Sequence, residues 1–192
     1  MLSLDMSTFV IIGGASGSGK QTVINKIIEK APQLFQFWTT FTTRPPRENE
    51  IDGVDYDFIT VGQFNELQDN GEIIVSMNWH GNYYGATVGS LEKVLRSGKI
   101  PIRDCGDYAT VAEIKKRGYN AVSFFLDVDK SIVRERLTKR GGNIADIEQR
   151  LADYDKLVAM KEHFDYAIKN DDLDKCVSDI WSVLSKFDKR KC

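Results

Sequence analysis

The sequence predicts an α/β fold built on a parallel sheet. Short runs rich in β-branched and aromatic residues alternate with stretches of helical periodicity along the chain. The first such run, Phe9-Val10-Ile11-Ile12, is continuously apolar, as a strand covered on both faces must be. It ends in Gly13-Gly14, and a glycine-rich turn and a helix-patterned segment follow at once. The length of 192 residues fits one compact domain, and 42% hydrophobic with 28% charged residues can fill its core. That balance excludes collagen-like, low-complexity and mostly disordered chains.

The elements follow in order. Residues 20–30 place Val23, Ile24, Ile27 and Ile28 on one helix face. Residues 37–43 are β-branched and aromatic, so extended, and residues 44–55 form a polar loop broken by Pro45, Pro46 and Gly53. A strand at 56–59, a helix at 61–70 and a strand at 72–79 make a small excursion, too short for a domain and long for a connection. Gly81-Asn82-Tyr83-Tyr84-Gly85 reads as a turn returning the chain to the main sheet. Helices at 88–97 and 108–117 then flank a strand at 99–104, and a strong strand covers 121–128. A basic helix at 131–140 stops at Gly141-Gly142, and one further helix is expected over 146–162. A short strand at 166–169 and an amphipathic helix at 173–187 complete the pattern.

The net charge of −2, from 26 Lys+Arg against 28 Asp+Glu, gives no global attraction to nucleic acid or to a membrane surface. A polyanion would have to meet a local basic cluster. Cys105, Cys176 and Cys192 are scattered and odd in number, so they read as free thiols of a reducing compartment. No apolar run approaches the roughly 18 residues of a membrane span, and residues 1–8 lack a signal-peptide pattern. A soluble, cytoplasmic protein is expected. Its oligomeric state stays open.

Gly14-Ala15-Ser16-Gly17-Ser18-Gly19-Lys20 fits G-x-x-x-x-G-K between a strand and a helix. The glycines let backbone N–H groups wrap a phosphate, and the helix N-terminus adds partial positive charge. The Lys20 ammonium is long enough to reach the β- and γ-phosphates of a nucleotide such as ATP. Gln21 stands where the motif has Ser or Thr, with Thr22 one place later. Mg²⁺ accompanying ATP is therefore expected to be held through waters and the nucleotide's phosphates, and no metal ligand is assigned.

Arg44 and Arg47 sit three residues apart in a proline-stiffened loop, where two guanidinium forks can grip one phosphate. Tyr56 and Tyr84 can add hydroxyl donors. Arg136 and Arg140, four apart on one helix face, repel each other unless an anion lies between them.

From Thr42 the chain runs T-T-R-P-P-R-E-N-E-I-D-G-V-D-Y-D-F-I, in which Thr42, Thr43, Arg44, Arg47, Glu50, Gly53, Tyr56 and Phe58 resemble the guanylate kinase signature. Gly81-Asn82-Tyr83-Tyr84-Gly85, Arg136-Leu137 with Arg140-Gly141, Arg150-Leu151 and Asn170-Asp171-Asp172-Leu173-Asp174 extend the resemblance over nearly the whole chain. It implies a parallel-sheet P-loop nucleoside monophosphate kinase core at 1–38 and 87–192. An acceptor-binding insertion at about 39–86 and a mobile lid at about 140–150 complete the single domain. The implied reaction moves the ATP γ-phosphoryl group to GMP or another monophosphate. Lys20, Arg44, Arg136, Arg140 and Arg150 are implied as catalytic. Residues 14–22 and Asn170 are implied to hold ATP, with Asn170 near the adenine; Thr40, Arg44, Arg47, Tyr56, Tyr84 and Asp104 hold the acceptor.

The chain departs from the family pattern where the acceptor base is read. Val75 stands in place of a glutamate, Ala86 in place of Ser or Thr, and Gly106 in place of a second aspartate. Lost hydrogen-bonding groups predict a weaker guanine preference than the family's, with Asn78 or His80 as substitutes. The rival reading is an inactive relative that binds a protein in the acceptor cleft; intact Gly14, Gly19 and Lys20 favour the enzyme. His80 and His163 have no metal-ligand spacing, and Trp38, Trp79 and Trp181 read as core residues.

Overall fold

A computed structural model describes residues 8–79, 81–141 and 143–187. Five strands, β1 (Thr8–Gly13), β2 (Phe35–Phe37), β7 (Ile100–Asp104), β8 (Asn120–Asp127) and β9 (Tyr166–Lys169), form an all-parallel sheet in the order β2-β7-β1-β8-β9. The central β1 is buried along its whole length, which is why its sequence does not alternate. Val10 and Ile12 enter a core with Val23, Ile24 and Ile27 of helix α1 (Lys20–Lys30) and Cys176, Ile180 and Leu184 of helix α8 (Leu173–Leu184). Phe9 and Ile11 enter the opposite core, with Leu91 of α3 (Val88–Arg96), Val111 of α4 (Ala109–Lys116), Trp38 and Phe125. Pairing of Ile12 with Asp104 puts the Asp104 carboxylate level with the start of the glycine-rich loop.

A second sheet of four strands has the order β4-β3-β6-β5, from β3 (Phe41–Thr42), β4 (Asp57–Phe58), β5 (Ile73–Trp79) and β6 (Asn82–Thr87). Its ladder pairs set its two faces, because directly opposed residues share a side. Phe41 pairs with Gly85, and this side is covered by Phe64 of helix α2 (Val61–Asp69), which stacks on Tyr83 at 4.0 Å. The other side carries Thr42, Phe58, Tyr84, Val75 and Ala86, and it turns toward Trp38 and the main sheet.

Three sequence expectations change here. Residues 82–85 are strand β6, not a turn back to the main sheet. Asn and Gly mimic a turn locally, but Gly85 serves close packing: a Cβ there would lie 2.4 Å from the Val75 carbonyl oxygen and 2.5 Å from the Phe41 ring. The expected stretch 37–43 divides between β2 and β3, which belong to different sheets. The single helix over 146–162 is instead α6 (Ile144–Ala152), α7 (Tyr154–Ala159) and a 3₁₀ turn at Lys161–His163. The Tyr154 hydroxyl donates to the Val128 carbonyl at 2.7 Å and Phe164 is buried against Phe125, so tertiary anchors bend the chain out of one continuous helix. Helix α5 (Lys130–Lys139) packs against α6 through Val133, Leu137, Ile147 and Leu151, and Arg134 pairs with Glu148 across the two helices.

Candidate functional site

The chain between β1 and α1 turns on Gly14, Gly17 and Gly19, all at positive φ. Gly19, at φ 92°, also has no room for a side chain, since a Cβ would lie 2.7 Å from the Asn170 amide nitrogen. Asn170 is buried and donates from Nδ2 to the Ser18 carbonyl at 2.6 Å. Arg136 donates from Nη1 to the same carbonyl at 3.3 Å and from Nη2 to the Asn170 carbonyl at 2.9 Å. Arg150 donates from Nη1 to the Ser16 hydroxyl at 2.8 Å, while its Nε donates to Asp146 at 3.0 Å. The expected ATP-side residues thus converge on one loop, with Arg136 and Asn170 as its braces.

The Lys20 ammonium turns back to the Gly14 and Ala15 carbonyls at 2.9 and 3.1 Å. Burial pushes its pKa down, the charges of Arg140 and Arg150 act in the same direction, and the Asp104 carboxylate opposes them. Lys20, Asp104, Arg140 and Arg150 therefore share one electrostatic site. Gln21 and Thr22 are exposed, and the Gln21 amide donates to Asn25 at 2.9 Å.

The facing site lies on the second sheet. Arg44 is held by Glu50 in a two-pronged ion pair, both N–H···O distances being 2.6 Å. Its guanidinium carbon lies 5.2 Å from the Tyr56 ring centroid and 5.6 Å from that of Phe58. Arg44 Nε is buried and has no hydrogen-bond acceptor among the described residues. Tyr56 and Tyr84 stand with rings 6.1 Å apart. Burial first, and the Asp104 charge second, push the Tyr56 phenol up to about 12, so it stays a donor at neutral pH. Arg47 is exposed, with its guanidinium 3.9 Å from Glu50. Thr40 is buried and follows Trp38 by two residues. Asp104, expected in the acceptor group, acts on both Lys20 and Tyr56 and so lies between the two sites.

Among the described residues no group of three or more His, Cys, Asp or Glu could hold a metal ion. His163 is exposed with its ring 5.5 Å from Tyr108, and His80, offered as a base reader, lies outside the described residues. Trp38 is fully buried and Trp181 packs in the core as expected, but Trp79 is 36% exposed at the end of β5. Sequence reasoning missed Arg103. Its only local signal is a charge at the end of the apolar strand Ile100-Pro101-Ile102.

A glycine-rich strand–loop–helix carrying Lys20, beside a second sheet carrying Arg44, Tyr56 and Tyr84, is the layout of a P-loop nucleoside monophosphate kinase, a phosphotransferase. The guanylate kinase family model matches residues 6–187. A guanylate kinase of Helicobacter pylori (strain ATCC 700392 / 26695) is 37% identical over 176 residues, covering 91% of this chain and 84% of the relative. One of Wolbachia sp. subsp. Brugia malayi (strain TRS) is 33% identical, covering 92% and 91%. The crystal structure of guanylate kinase from Anaplasma phagocytophilum superposes with a TM-score of 0.73 at 25% identity, covering 97% of this chain and 89% of that one. The chain belongs to the guanylate kinase family.

Proposed function

We propose that this chain transfers the γ-phosphoryl group of ATP to GMP, giving ADP and GDP. The observation that carries this reading is a glycine-rich loop carrying Lys20 beside a second sheet on which Glu50 holds Arg44 next to Tyr56 and Tyr84, which supports a phosphate loop and an acceptor grip in one site. The loop amides and Lys20 bind the ATP phosphates, and Asn170 and Arg136 keep the loop in shape. Arg44, Arg47, Tyr56 and Tyr84 hold the acceptor phosphate in line. Arg140 and Arg150, whose charges act on Lys20, neutralise the charge that spreads over the transferring group. No general base is needed, because positioning and charge carry the rate.

Mg²⁺, a hard cation with oxygen ligands, fits as part of the ATP complex, with Asp104 the one carboxylate beside Lys20 able to hold it directly or through water. Bound there, it would supply positive charge to the nucleotide's phosphates. Gln21 is turned to Asn25 and supplies no hydroxyl. No helix among the described residues is long and apolar enough to cross a membrane, and the cytoplasm is the proposed compartment. ADP release measured across GMP, dGMP, AMP, CMP, UMP and dTMP tests the reaction; absence of turnover with every acceptor would overturn it.

We also propose a lid at about residues 140–150. Arg140 and Arg150 gain a common anion only when it closes over the phosphates. Hydrogen exchange across residues 140–146, of which Gly142 lies outside the described ones, should slow with ATP and GMP together and little with either alone. Unchanged exchange would count against closure.

Val75 pairs with Ala86 on the face turned to the cleft, where neither can accept a hydrogen bond from a base. Val75→Glu should therefore raise the GMP-over-AMP ratio of kcat/KM by about ten- to a hundredfold, the worth of hydrogen bonds to a charged acceptor. A ratio unmoved by the glutamate would show that another group already discriminates.

A further inference from the structure

Arg103 is the next-to-last residue of strand β7, directly before Asp104. Its Nε donates to the main-chain oxygen of Asp104 at 2.8 Å, and its guanidinium carbon lies 5.3 Å from the centroid of the Trp38 ring. Its Nη1 is buried and has no hydrogen-bond acceptor among the described residues. A buried, charged donor with nothing to donate to is costly, and a functional partner is one of the few things that explain it. The Arg103 charge acts on the Tyr56 phenol, whose ring centroid lies 5.2 Å from the Arg44 guanidinium carbon. Around it the cleft is apolar, with Trp38 and Ala86 fully buried and Val75 packed in the same cluster.

We propose that Arg103 determines acceptor specificity by donating from Nη1 to a base edge that carries only acceptors, the O6/N7 edge of guanine. This rests on the proposed transfer to a nucleoside monophosphate. A guanidinium has donors and no acceptor, so it suits adjacent acceptor atoms and opposes an amino group. Adenine puts an amino donor where guanine has O6, and two donors then face each other. Val75 and Ala86, paired across β5 and β6, have no side-chain acceptor for the N1–H or the 2-amino group of guanine. The 2-amino group should thus go unread, and IMP, which keeps O6 and N7 without it, should serve as well as GMP. Arg103's aliphatic stem and its contact with Trp38 hold the donor in place.

The test measures equilibrium binding and kcat/KM for GMP, IMP and AMP with the natural chain, Arg103→Met and Arg103→Lys. The natural chain should treat GMP and IMP alike within about threefold and disfavour AMP about ten- to a hundredfold, the worth of one good arginine–guanine contact. Arg103→Met keeps the apolar stem and should bring GMP and IMP down to the AMP level, with the ATP KM and the melting curve unchanged. Arg103→Lys retains charge without the fork and should lose part of the ratio; it decides the matter if the methionine variant fails to fold. A GMP-over-AMP ratio preserved in both variants overturns the proposal, as does rejection of IMP by the natural chain. Failure to bind or phosphorylate any monophosphate would instead overturn the proposed reaction itself, and the two failures look different.

Discussion

Lys20→Ala is expected to lower kcat by about a hundred- to a thousandfold, the usual effect of deleting one preorganised charge at a developing anion. The Lys20 ammonium donates to the loop carbonyls of Gly14 and Ala15 rather than to another element, so the melting curve should stay close to the natural one. Its burial and the neighbouring Arg140 and Arg150 already disfavour the charge, opposed by Asp104 and, more weakly, Cys105. An arriving polyphosphate reverses that balance, and Lys20 should stabilise the transition state more than the resting loop. Coupled ADP release beside a thermal melt checks this. Comparable turnover with an unchanged melt would remove the phosphate-loop mechanism.

Arg44→Leu should raise the KM for GMP by about a hundredfold or more while leaving the KM for ATP unchanged, because truncating one partner of a buried charge pair costs several kcal/mol. Arg44 is 9% exposed and stacks on Tyr56 and Phe58, so the change also strands Glu50, itself 18% exposed. A stability loss of about 1–3 kcal/mol is expected, below the figure for a fully buried pair because Glu50 keeps some water. Adding Glu50→Leu should recover much of that stability and none of the GMP affinity, which separates grip from scaffold. The pH dependence follows from Glu50, whose carboxyl the Arg44 hydrogen bonds hold below its ordinary range. A depressed carboxyl stabilises the fold above its unfolded pKa and stops doing so as pH falls through the folded one. The Arg44→Leu deficit should therefore be flat from about pH 6 to 8 and shrink only in acid below the ordinary carboxylate range. A deficit that varies across neutral pH, or a GMP KM restored in the double variant, would show that Glu50 is not the partner that orders this grip.

Local chemistry alone determined the phosphate loop of this protein. Glycines at 14, 17 and 19 followed by Lys20 encode their own backbone shape, and the both-sides-buried run Phe9–Ile12 announces the strand that delivers it. Helices α1, α3 and α8 were legible for the same reason, since amphipathic spacing is written within each element. The family signature likewise marked Arg44, Arg47, Tyr56 and Tyr84 from sequence alone. Tertiary structure decided what depends on distant partners. Strand β6 exists because Gly85 lets Phe41 and the Val75 carbonyl approach, a contact between residues far apart in the chain. The break between α6 and α7 comes with Tyr154 reaching Val128 and Phe164 reaching Phe125, which helical periodicity does not encode. Arg136 and Asn170 read as ligand contacts until their hydrogen bonds to Ser18 placed them as braces of the loop as well. Arg103 was invisible for the plainest reason: an unmatched donor is a property of everything around it, and a sequence carries no record of which buried N–H lacks a partner.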